Sequence, residues 1–451
     1  MSNVRKSLLG KEVIRMNILI VTPFYKQDKN IASVRWTNFA QRLAKNHKVF
    51  VVSQPYDDMD MIFSVTEEDG IVVARCNQKT VYEKIAIKYF AGETGDDWQT
   101  TSQTTEIKKD VTLKEPFNRK IKNKLIYKSM KHKANVYAKK ICETVIPRGS
   151  NIDVVITSAC PFIEILFGYE LKKRLDCKWI CDFRDLPYFY DDCDNNHRMK
   201  RIMKKMLPST DGIFVVVAGM KDFLVDELGL DQTNIHVITN GFSKSDEKNP
   251  IIIDDDILHI VHTGSLYGGK RKADLLFKAI NAVHNTHPHY KFILECAGGN
   301  SSFLVETAKQ YELENSVKDY GFISREKALE LQNQSDCLLL LVENQPGGVL
   351  SGKVFEYLLC NKPIISISCG EIPDCAASDL IEKLNVGIAT EEPREEEDVL
   401  RLADYLLKQS KRKISKEGLE FKPNKEAIDE YDYDNLTKRI ELICCQITEQ
   451  K

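Results

Sequence analysis

The chain has no excess of charge of either sign. Its 451 residues include 64 Lys and Arg against 66 Asp and Glu, and only 9% are aromatic. A nearly neutral chain lacks the positive field that draws a protein to nucleic acid. Sparse aromatic residues also provide few surfaces on which bases could stack. Both scarcities argue against a nucleic-acid-binding function.

Long hydrophobic runs are absent as well. No stretch reaches the eighteen or so apolar residues of a membrane-spanning helix. The first fifteen residues are polar and mixed, without the apolar region of a secretory signal. We therefore expect a cytoplasmic protein that at most rests on the inner face of a membrane.

Metal-ligand spacings are missing too. The 13 cysteines are scattered, and the Cys177/Cys181 and Cys369/Cys375 pairs have no histidine at ligand spacing. Reduced core thiols are the expected state in the cytosol. The run 191–194 is rich in Asp but is typical of a solvated loop, so we expect neither a metal nor a cofactor.

Two nucleotide-binding motifs are also lacking. Neither half of the chain carries Gly-x-Gly-x-x-Gly after its first strand, and Gly-x-x-x-x-Gly-Lys-Ser/Thr does not occur. These absences argue against a simple dinucleotide dehydrogenase and against a P-loop enzyme.

Short apolar strands alternate with helices along the chain, which predicts doubly wound parallel sheets of the α/β class. Two such series follow each other, separated by the polar segment 243–250, which we interpret as a hinge. The predicted domains are residues 16–245 and 246–424, followed by a helical segment at 425–451. A loop is predicted at 91–118. The predicted strands are 17–22, 48–53, 152–157, 178–182, 212–217 and 235–238 in the first series, and 258–264, 291–296 and segments near 317, 337, 364 and 387 in the second.

The most informative stretch is 347–358. Gly347 and Gly348 follow the apolar strand 336–342, and a helix then begins near Ser351 and Lys353. Free backbone N–H groups and a cation at this point suit an anion. Glu356, one turn later, can accept hydrogen bonds from sugar hydroxyls. The spacing fits a nucleotide diphosphate site, and it fits equally an ordinary strand-turn-helix unit with the carboxylate in solvent.

Residues 351–365 resemble the donor-binding signature Ser-Gly-Lys-x-Phe-Glu-Tyr-Leu-x-x-x-Lys-Pro-Ile-Ile of the retaining glycosyltransferases of family 4. The resemblance implies the GT-B fold, two Rossmann-like doubly wound parallel-sheet domains facing across a cleft, with the last helix crossing back to the first domain. It also implies that Glu356 binds the ribose. The family's first glutamate falls on Gly348, so contacts to the donor sugar are expected from the amides of Gly348, Val349 and Leu350 or from another side chain.

The loop 264–272 after the first strand of the second series carries three cations. The resemblance implies that they meet the phosphates, with Arg271 in the place of the family's lysine. Ser265 stands where the family has arginine, and we hypothesise that Lys353 replaces that charge. A solvated basic loop is the alternative. With the turn 319–324, whose backbone is implied to contact the base, the candidate donor site comprises Gly264, Ser265, Lys270, Arg271, Phe322, Ile323, Gly348, Val349, Leu350, Ser351, Lys353 and Glu356.

The segment Asp182-Phe183-Arg184-Asp185 follows a predicted strand, and its charged residues are expected to face the cleft. The alternative is an ion pair of Arg184 that holds a loop. The resembled subgroup has a similar segment, so Asp182, Arg184 and Asp185 are catalytic candidates together with Arg271 and Lys353. The acceptor-side candidates are Ser33, Arg35, Ser158 and Cys160. His197 and His262 are interpreted as incidental.

Basic amphipathic stretches at 119–141 and 198–207 fit either packing on the sheet or contact with anionic lipid. The resemblance implies a metal-independent glycosyltransferase of the hexosyltransferase type (EC 2.4), acting in surface polysaccharide or capsule biosynthesis. It would move sugar from a UDP-sugar, or a GDP-sugar, to a glycan or lipid-linked acceptor. The alternatives are a catalytically silent nucleotide- or glycan-binding subunit and a GT-B nucleotide-sugar epimerase.

Overall fold

A computed structural model describes residues 5–6, 12–13, 15–26, 33–53, 63–76, 115–159, 163–186 and 193–449. The chain forms two compact units. The first takes the described residues up to Thr239 and those from Tyr433 onward, and the second takes Asn240–Asp432. The chain thus leaves the first unit a few residues before the predicted boundary at 245 and returns to it a few residues after 425.

The first unit is built on an eight-stranded sheet with the order β10-β9-β8-β7-β3-β4-β6-β5. All neighbours in it are parallel except β5 and β6. The central strands are buried on both faces, which is why they read as continuous apolar runs. With the separate antiparallel pair β1–β2, the strands are β1 (Arg5–Lys6), β2 (Glu12–Val13), β3 (Asn17–Val21), β4 (Lys48–Ser53), β5 (Ser64–Glu68), β6 (Ile71–Arg75), β7 (Val154–Ser158), β8 (Lys178–Phe183), β9 (Gly212–Val215) and β10 (Ile235–Val237).

Helices cover this sheet. Short 3-10 turns lie at Leu207–Ser209 and Gln232–Asn234. The helices before Thr239 are α1 (Ser33–Leu43), α2 (Glu115–Thr144), α3 (Ile163–Leu175), α4 (Cys193–Met206) and α5 (Ala218–Leu228). Of the predicted loop 91–118, residues 91–114 lie outside the described residues. The expectation was wrong for 115–118, which form the first turn of α2.

The apolar stripes of the two basic stretches are used for packing. In α2, Ala134, Tyr137 and Ile141 are buried, and the ring of Tyr137 lies 5.7 Å from that of Phe167 in α3. At the end of the second stretch, Met203, Met206 and Leu207 are buried too. Packing inside the first unit is therefore the alternative that the structure supports for these apolar residues. Within the described residues, no helix is long and apolar enough to cross a membrane.

The second unit contains a six-stranded, fully parallel sheet with the order β13-β12-β11-β14-β15-β16. Each predicted strand of the second series is present. The strands are β11 (Ile257–Thr263), β12 (Lys291–Ala297), β13 (Val317–Asp319), β14 (Cys337–Glu343), β15 (Ile364–Cys369) and β16 (Gly387–Glu391). The helices are α6 (Asp274–Thr286), α7 (Ser302–Gln310), α8 (Arg325–Asn333), α9 (Lys353–Leu358), α10 (Ala376–Leu384), α11 (Glu395–Ile414) and α12 (Lys425–Asp429), with 3-10 turns at Lys244–Asp246, Glu314–Ser316 and Glu392–Arg394.

Both faces of this second sheet carry a hydrophobic core. Leu258 and Ile260 of β11 pack on one face with Phe277 of α6. Val261, on the opposite face, packs with Phe355 of α9. The alternation along β11 follows from the two-residue period of a strand. The segment interpreted as a hinge begins inside the second unit as the Lys244–Asp246 turn.

The last helix, α13 (Tyr433–Glu449), belongs to the first unit. Its apolar face joins the core of that unit, where the ring of Tyr433 meets Phe39 of α1 edge to face at 5.1 Å. Asp434 pairs with Arg42 of α1 at 2.5 Å. The amphipathic pattern of α13 therefore serves to cover the α1 side of the first sheet.

Candidate functional site

Three loops meet at the carboxyl end of the second sheet, following β11, β12 and β14. Two glycines let the first two loops approach closely. The amide of Gly264 donates to Ala297 O at 2.9 Å, and Gly298 has φ of 138°. A Cβ on Gly298 would lie 2.1 Å from the carbonyl oxygen of Gly264. Only glycine fits at position 298, so the close approach of the two loops requires this residue.

Glu356 lies at the base of these loops. It is 9% exposed, in the short helix α9. Its Oε1 accepts hydrogen bonds from Lys353 Nζ at 2.8 Å and Gln332 Nε2 at 2.7 Å, and the guanidinium of Arg325 lies 3.5 Å from Oε2. Burial by itself would raise the pKa of this carboxyl, but the charge and hydrogen bond of Lys353, with Gln332 and Arg325, hold the pKa below its usual value. Glu356 is therefore an ionised carboxylate at neutral pH.

A buried amide fixes Glu356 to the end of β11. Gln332 in α8 is fully buried, and its Nε2 also donates to Thr263 Oγ1 at 2.7 Å. The hydroxyl of Tyr357 accepts the backbone N–H of Thr263 at 3.2 Å. The sequence analysis missed Gln332, Arg325 and Thr263. A polar helix such as 325–333 gives no signal that one of its amides points inward.

The cations of the loop 264–272 take different positions. The guanidinium of Arg271 lies over the ring of Tyr267 at 4.4 Å, and its Nη1 donates to Ser265 O at 3.4 Å. Its Nε is buried and has no hydrogen-bond partner among the described residues. Lys270 is largely exposed, 3.7 Å from Glu343. Arg271 is thus held at the end of the sheet, and within the described residues its Nε remains free to donate a hydrogen bond to a ligand.

Lys353 was expected to act as a replacement cation for phosphate. In the structure its ammonium group is already paired with Glu356, and its side chain is one-quarter exposed. Its Cε lies 3.8 Å from the position of a Cβ on Gly264. Lys353 therefore links the Glu356 carboxylate to the β11 loop, and its phosphate role stays a prediction.

The turn after β14 presents unpaired backbone donors. Gly347 and Gly348 have φ of 85° and 76°, a conformation that favours glycine. The four consecutive N–H groups from Val349 to Gly352 have no acceptor within the described part of the chain. Ser351 Oγ accepts the N–H of Lys353 at 3.3 Å. Such a row of backbone donors beside a cation is suited to an anion.

The turn after β13 exposes an aromatic ring. Phe322 is 91% exposed, and Ile323 beside it is half-buried. The backbone before them is held by Asp319 Oδ1, which accepts the N–H of Gly321 at 2.8 Å. The hydroxyl of Tyr320 donates to Glu295 at 2.6 Å. The turn is fixed while the Phe322 side chain remains available to a ligand.

In the first unit, Asp182 differs from its prediction. β8 continues through Phe183, because Asp182 still pairs in register with Phe214 of β9. Asp182 is fully buried and forms an ion pair with Arg35 at 2.7 Å, and Trp36 Nε1 donates to it at 2.8 Å. Arg35 also donates to Ile238 O at 2.9 Å. Asp182 was predicted as the last residue of its strand with its carboxylate open to a ligand, whereas it is buried and paired with Arg35, so the catalytic role of Asp182 and the acceptor-side role of Arg35 stay predictions.

The other first-unit candidates lie at the carboxyl ends of strands or at helix starts. Ser33 is the buried first residue of α1, and Ser158 is the buried last residue of β7, opposite Asp182 in register. Ser158 Oγ has no hydrogen-bond partner among the described residues. Beyond β8, Arg184 is half-buried and Asp185 is exposed. Cys160 and the side chain of His197 lie outside the described residues, and the roles of all these residues stay predictions.

Comparisons with known proteins show which families and folds this chain resembles. Residues 243–420 match the family model "Glycosyl transferases group 1". No curated protein matches the chain in sequence.

Solved structures share the fold over nearly the whole length. A glycosyltransferase from Rickettsia africae ESF-5 is 15% identical with a TM-score of 0.58, covering 97% of this chain and 100% of that one. The lipopolysaccharide outer core galactosyltransferase WaaB is 16% identical with a TM-score of 0.57, covering 96% and 99%. A trehalose-6-phosphate protein from E. coli bound with UDP-2-fluoro glucose is 11% identical with a TM-score of 0.61, covering 96% and 99%.

These identities establish the fold alone, whereas the family match covers the unit that holds Glu356, Arg271 and the unpaired amides. The predicted GT-B architecture with two Rossmann-like α/β units is thus confirmed, and the similarity to the glycosyl transferases group 1 model spans residues 243–420, within the second unit.

Proposed function

We propose that the chain is a retaining glycosyltransferase of family 4 type, which moves a sugar from a nucleotide diphosphate sugar to a hydroxyl of a glycan or lipid-linked acceptor. The observation that carries the proposal is the ionised, buried Glu356 beside the β11 loop with Arg271. A carboxylate for hydroxyl groups and a cation for phosphate are the two groups that a nucleotide diphosphate requires.

In this proposal the two oxygens of Glu356 accept hydrogen bonds from the ribose hydroxyls. Arg271 and the amides of Val349 to Gly352 bind the phosphates, and the exposed Phe322 turn receives the base. We favour a UDP-sugar, since proteins of this fold include a UDP-forming trehalose-phosphate synthase and the structure bound with UDP-2-fluoro glucose. The likeness to WaaB supports a role in surface polysaccharide synthesis.

The proposed reaction breaks the bond between the sugar and the β-phosphate, while the acceptor hydroxyl attacks the same face of the sugar. Negative charge then builds on the departing diphosphate, where Arg271 and the amides stabilise it electrostatically. The leaving phosphate takes the proton of the acceptor hydroxyl, so neither a carboxylate nucleophile nor a metal ion is required. Arg184, Asp185 and Ser158 are the proposed acceptor-side residues of the first unit.

Gly348 favours a second candidate function. The resembled family has a glutamate at this position, and a glycine cannot hydrogen-bond the donor sugar through a side chain. A silent subunit that binds nucleotide without turnover would also tolerate this change. Turnover distinguishes the two functions.

The first test is thermal stabilisation by UDP, GDP, ADP and their sugar conjugates. A ligand at 100 times its dissociation constant stabilises the folded state by roughly 2.7 kcal/mol. We expect one nucleotide series to stabilise the wild type and to lose this effect in Glu356→Gln, which keeps the side-chain shape but removes the charge. Glu382→Gln is the matched control, because Glu382 is exposed on α10.

If none of the nucleotides stabilises the protein at millimolar concentration, the proposal is contradicted. For the nucleotide sugar that binds, NMR of the glycoside formed on a panel of acceptors reads the anomeric configuration. Inversion of that configuration would refute the retaining mechanism, and binding without product would favour the silent subunit.

A further inference from the structure

His262 is a buried side chain to which the proposed function assigns no role. It is the second-to-last residue of β11 and is 3% exposed. Its Nδ1 lies 2.9 Å from Leu339 O. A carbonyl oxygen only accepts, so Nδ1 carries the proton of the neutral ring and Nε2 carries the lone pair. That Nε2 is buried without a hydrogen-bond partner among the described residues.

The unpartnered Nε2 points toward the loop that holds the candidate phosphate ligands. A Cβ on Gly264 would lie 3.8 Å from His262 Nε2 and equally 3.8 Å from Lys353 Cε. Because Gly264 has no side chain, no Cβ occupies this position between the ring nitrogen and Lys353. An unsatisfied buried polar atom costs stability unless something occupies such a space.

The surroundings keep the ligand-free ring neutral. Burial lowers the pKa of His262 to about 4, and the charges of Arg271 and Lys353 add to this shift. The carbonyl of Leu339 opposes it, as does that of Gly264, which lies near the ring but does not have hydrogen-bond geometry with Nε2. The other titratable neighbours carry no compensating charge. Cys296, its register partner on β12, and Tyr357 both have a pKa that burial raises to about 12, and the carboxylate of Glu356 is paired with Lys353.

We propose that His262 is a further donor-binding residue, whose Nε2 takes up a proton from solution and donates a hydrogen bond to the diphosphate. The inference rests on the proposed function, since it requires a nucleotide diphosphate at the β11 loop. A phosphate oxygen only accepts, so it would repel the lone pair of a neutral ring. The same phosphate neutralises Arg271, one of the charges that oppose protonation, and stabilises the imidazolium directly.

Calorimetric titration measures this proton directly. UDP-glucose, UDP-N-acetylglucosamine and GDP-mannose are titrated at pH 7 in two buffers with different heats of ionisation. Their diphosphates are esterified at both ends and do not titrate near neutrality, so a proton uptake is assigned to the protein. We expect an uptake approaching one proton at pH 7. The Kd is expected to rise up to tenfold per pH unit between the pKa of the free ring, about 4, and the higher pKa of the complex, since only the bound state holds the proton in that range.

Two variants test the contributions of Nδ1 and Nε2 separately. His262→Asn keeps an amide that can donate to Leu339 O but removes Nε2, whereas His262→Gln places a neutral amide near Nε2. Both are expected to abolish the proton uptake, and His262→Asn is expected to weaken binding about tenfold. The control is His259→Asn, three residues earlier and thus on the opposite face of β11, where His259 is bonded to Asp255 and Glu295. Thermal unfolding without ligand verifies that each variant is folded.

The outcomes distinguish this inference from the proposed function. Binding of a nucleotide sugar by the wild type without proton uptake overturns the inference alone, as does an unchanged uptake in His262→Asn. Weaker binding in His262→Asn with no uptake in the wild type means that Nε2 accepts from a sugar hydroxyl, which also overturns it. If no nucleotide sugar binds, the proposed function fails and the inference falls with it.

Discussion

Replacement of Asp182 by alanine tests whether this residue supports the first unit or takes part in the reaction. The carboxylate is fully buried and is bonded to the guanidinium of Arg35 and the indole of Trp36. Removal of one partner of a buried ion pair costs about 3–5 kcal/mol. The indole N–H left unpaired adds about 1–3 kcal/mol. Because whole domains are stable by about 5–15 kcal/mol, Asp182→Ala is expected to bring the first unit close to unfolding at 25 °C.

Urea unfolding followed by tryptophan fluorescence measures this loss. Trp36 and Trp179 are buried in the first unit, and no tryptophan follows Thr239 in sequence, so the signal reports on unfolding of that unit. Asp182→Asn retains an oxygen acceptor for Trp36 and is expected to lose less. The double variant Arg35→Met/Asp182→Leu leaves no buried charge, so its loss should fall short of the sum of the two single losses by about 2 kcal/mol or more.

The control is Asp185→Ala, which removes an exposed carboxylate and should change stability by less than about 0.5 kcal/mol. If Asp182→Ala unfolds like the wild type but has lost glycosyl transfer, the structural role is refuted. The catalytic role predicted from the sequence would then be the better account.

Three further predictions follow from described contacts. Burial raises the pKa of Glu164 in α3 to about 8, so the folded state holds a proton that the unfolded chain has lost above pH 4.5, and stability falls as pH rises from 4.5 to 8. In urea unfolding at several pH values, Glu164→Gln should flatten this dependence and should stabilise the protein at pH 8 by a few kcal/mol. An unchanged pH dependence in the variant would contradict this prediction. Gly298→Ala places Cβ 2.1 Å from Gly264 O and should lower the unfolding free energy by about 3 kcal/mol or more. Gly268→Ala, with open space around Gly268, should lower it by about 1 kcal/mol. Equal thermal midpoints for the two variants would refute the close approach of the loops at Gly264 and Gly298. Because Ala134, Tyr137 and Ile141 of α2 and Met203 and Met206 of α4 are buried, any adsorption to vesicles of anionic lipid should be electrostatic and vanish near 0.5 M salt, roughly where screening shortens to a few ångströms. Cosedimentation that survives this salt would indicate insertion of apolar side chains.

Much of the fold could be predicted because parallel strands that are buried on both faces are continuous apolar runs, as β3 and β14 show. The edge hairpin β5–β6 was missed. Its outer strand, Ser64–Glu68, is polar and partly exposed, so its sequence resembles a loop. The burial of Asp182 was missed for a related reason. A charged residue usually ends a buried strand, but here Arg35, distant in sequence, neutralises it inside the sheet.

The candidate site was predictable only where local sequence decides geometry. The glycines and cations of 264–272 and the Glu356 segment are local patterns, and the structure places them at one end of the second sheet. Gln332 and His262 contribute through contacts made by folding, with Thr263 and Leu339 respectively. Neither side chain differs in sequence from an ordinary helix or strand residue, so only the tertiary contacts reveal it.

The return of α13 to the first unit has a consequence for biosynthesis. Tyr433, Leu436 and Ile440 complete a hydrophobic core whose other members, among them Trp36 and Phe39, are translated hundreds of residues earlier. The second unit, Asn240–Asp432, is continuous and can complete its core as soon as it leaves the ribosome. The first unit must wait with an uncovered α1 surface until residue 449 has emerged. Although it begins first, it is the last to finish folding, and during translation it is the part of the nascent chain with most need of a chaperone.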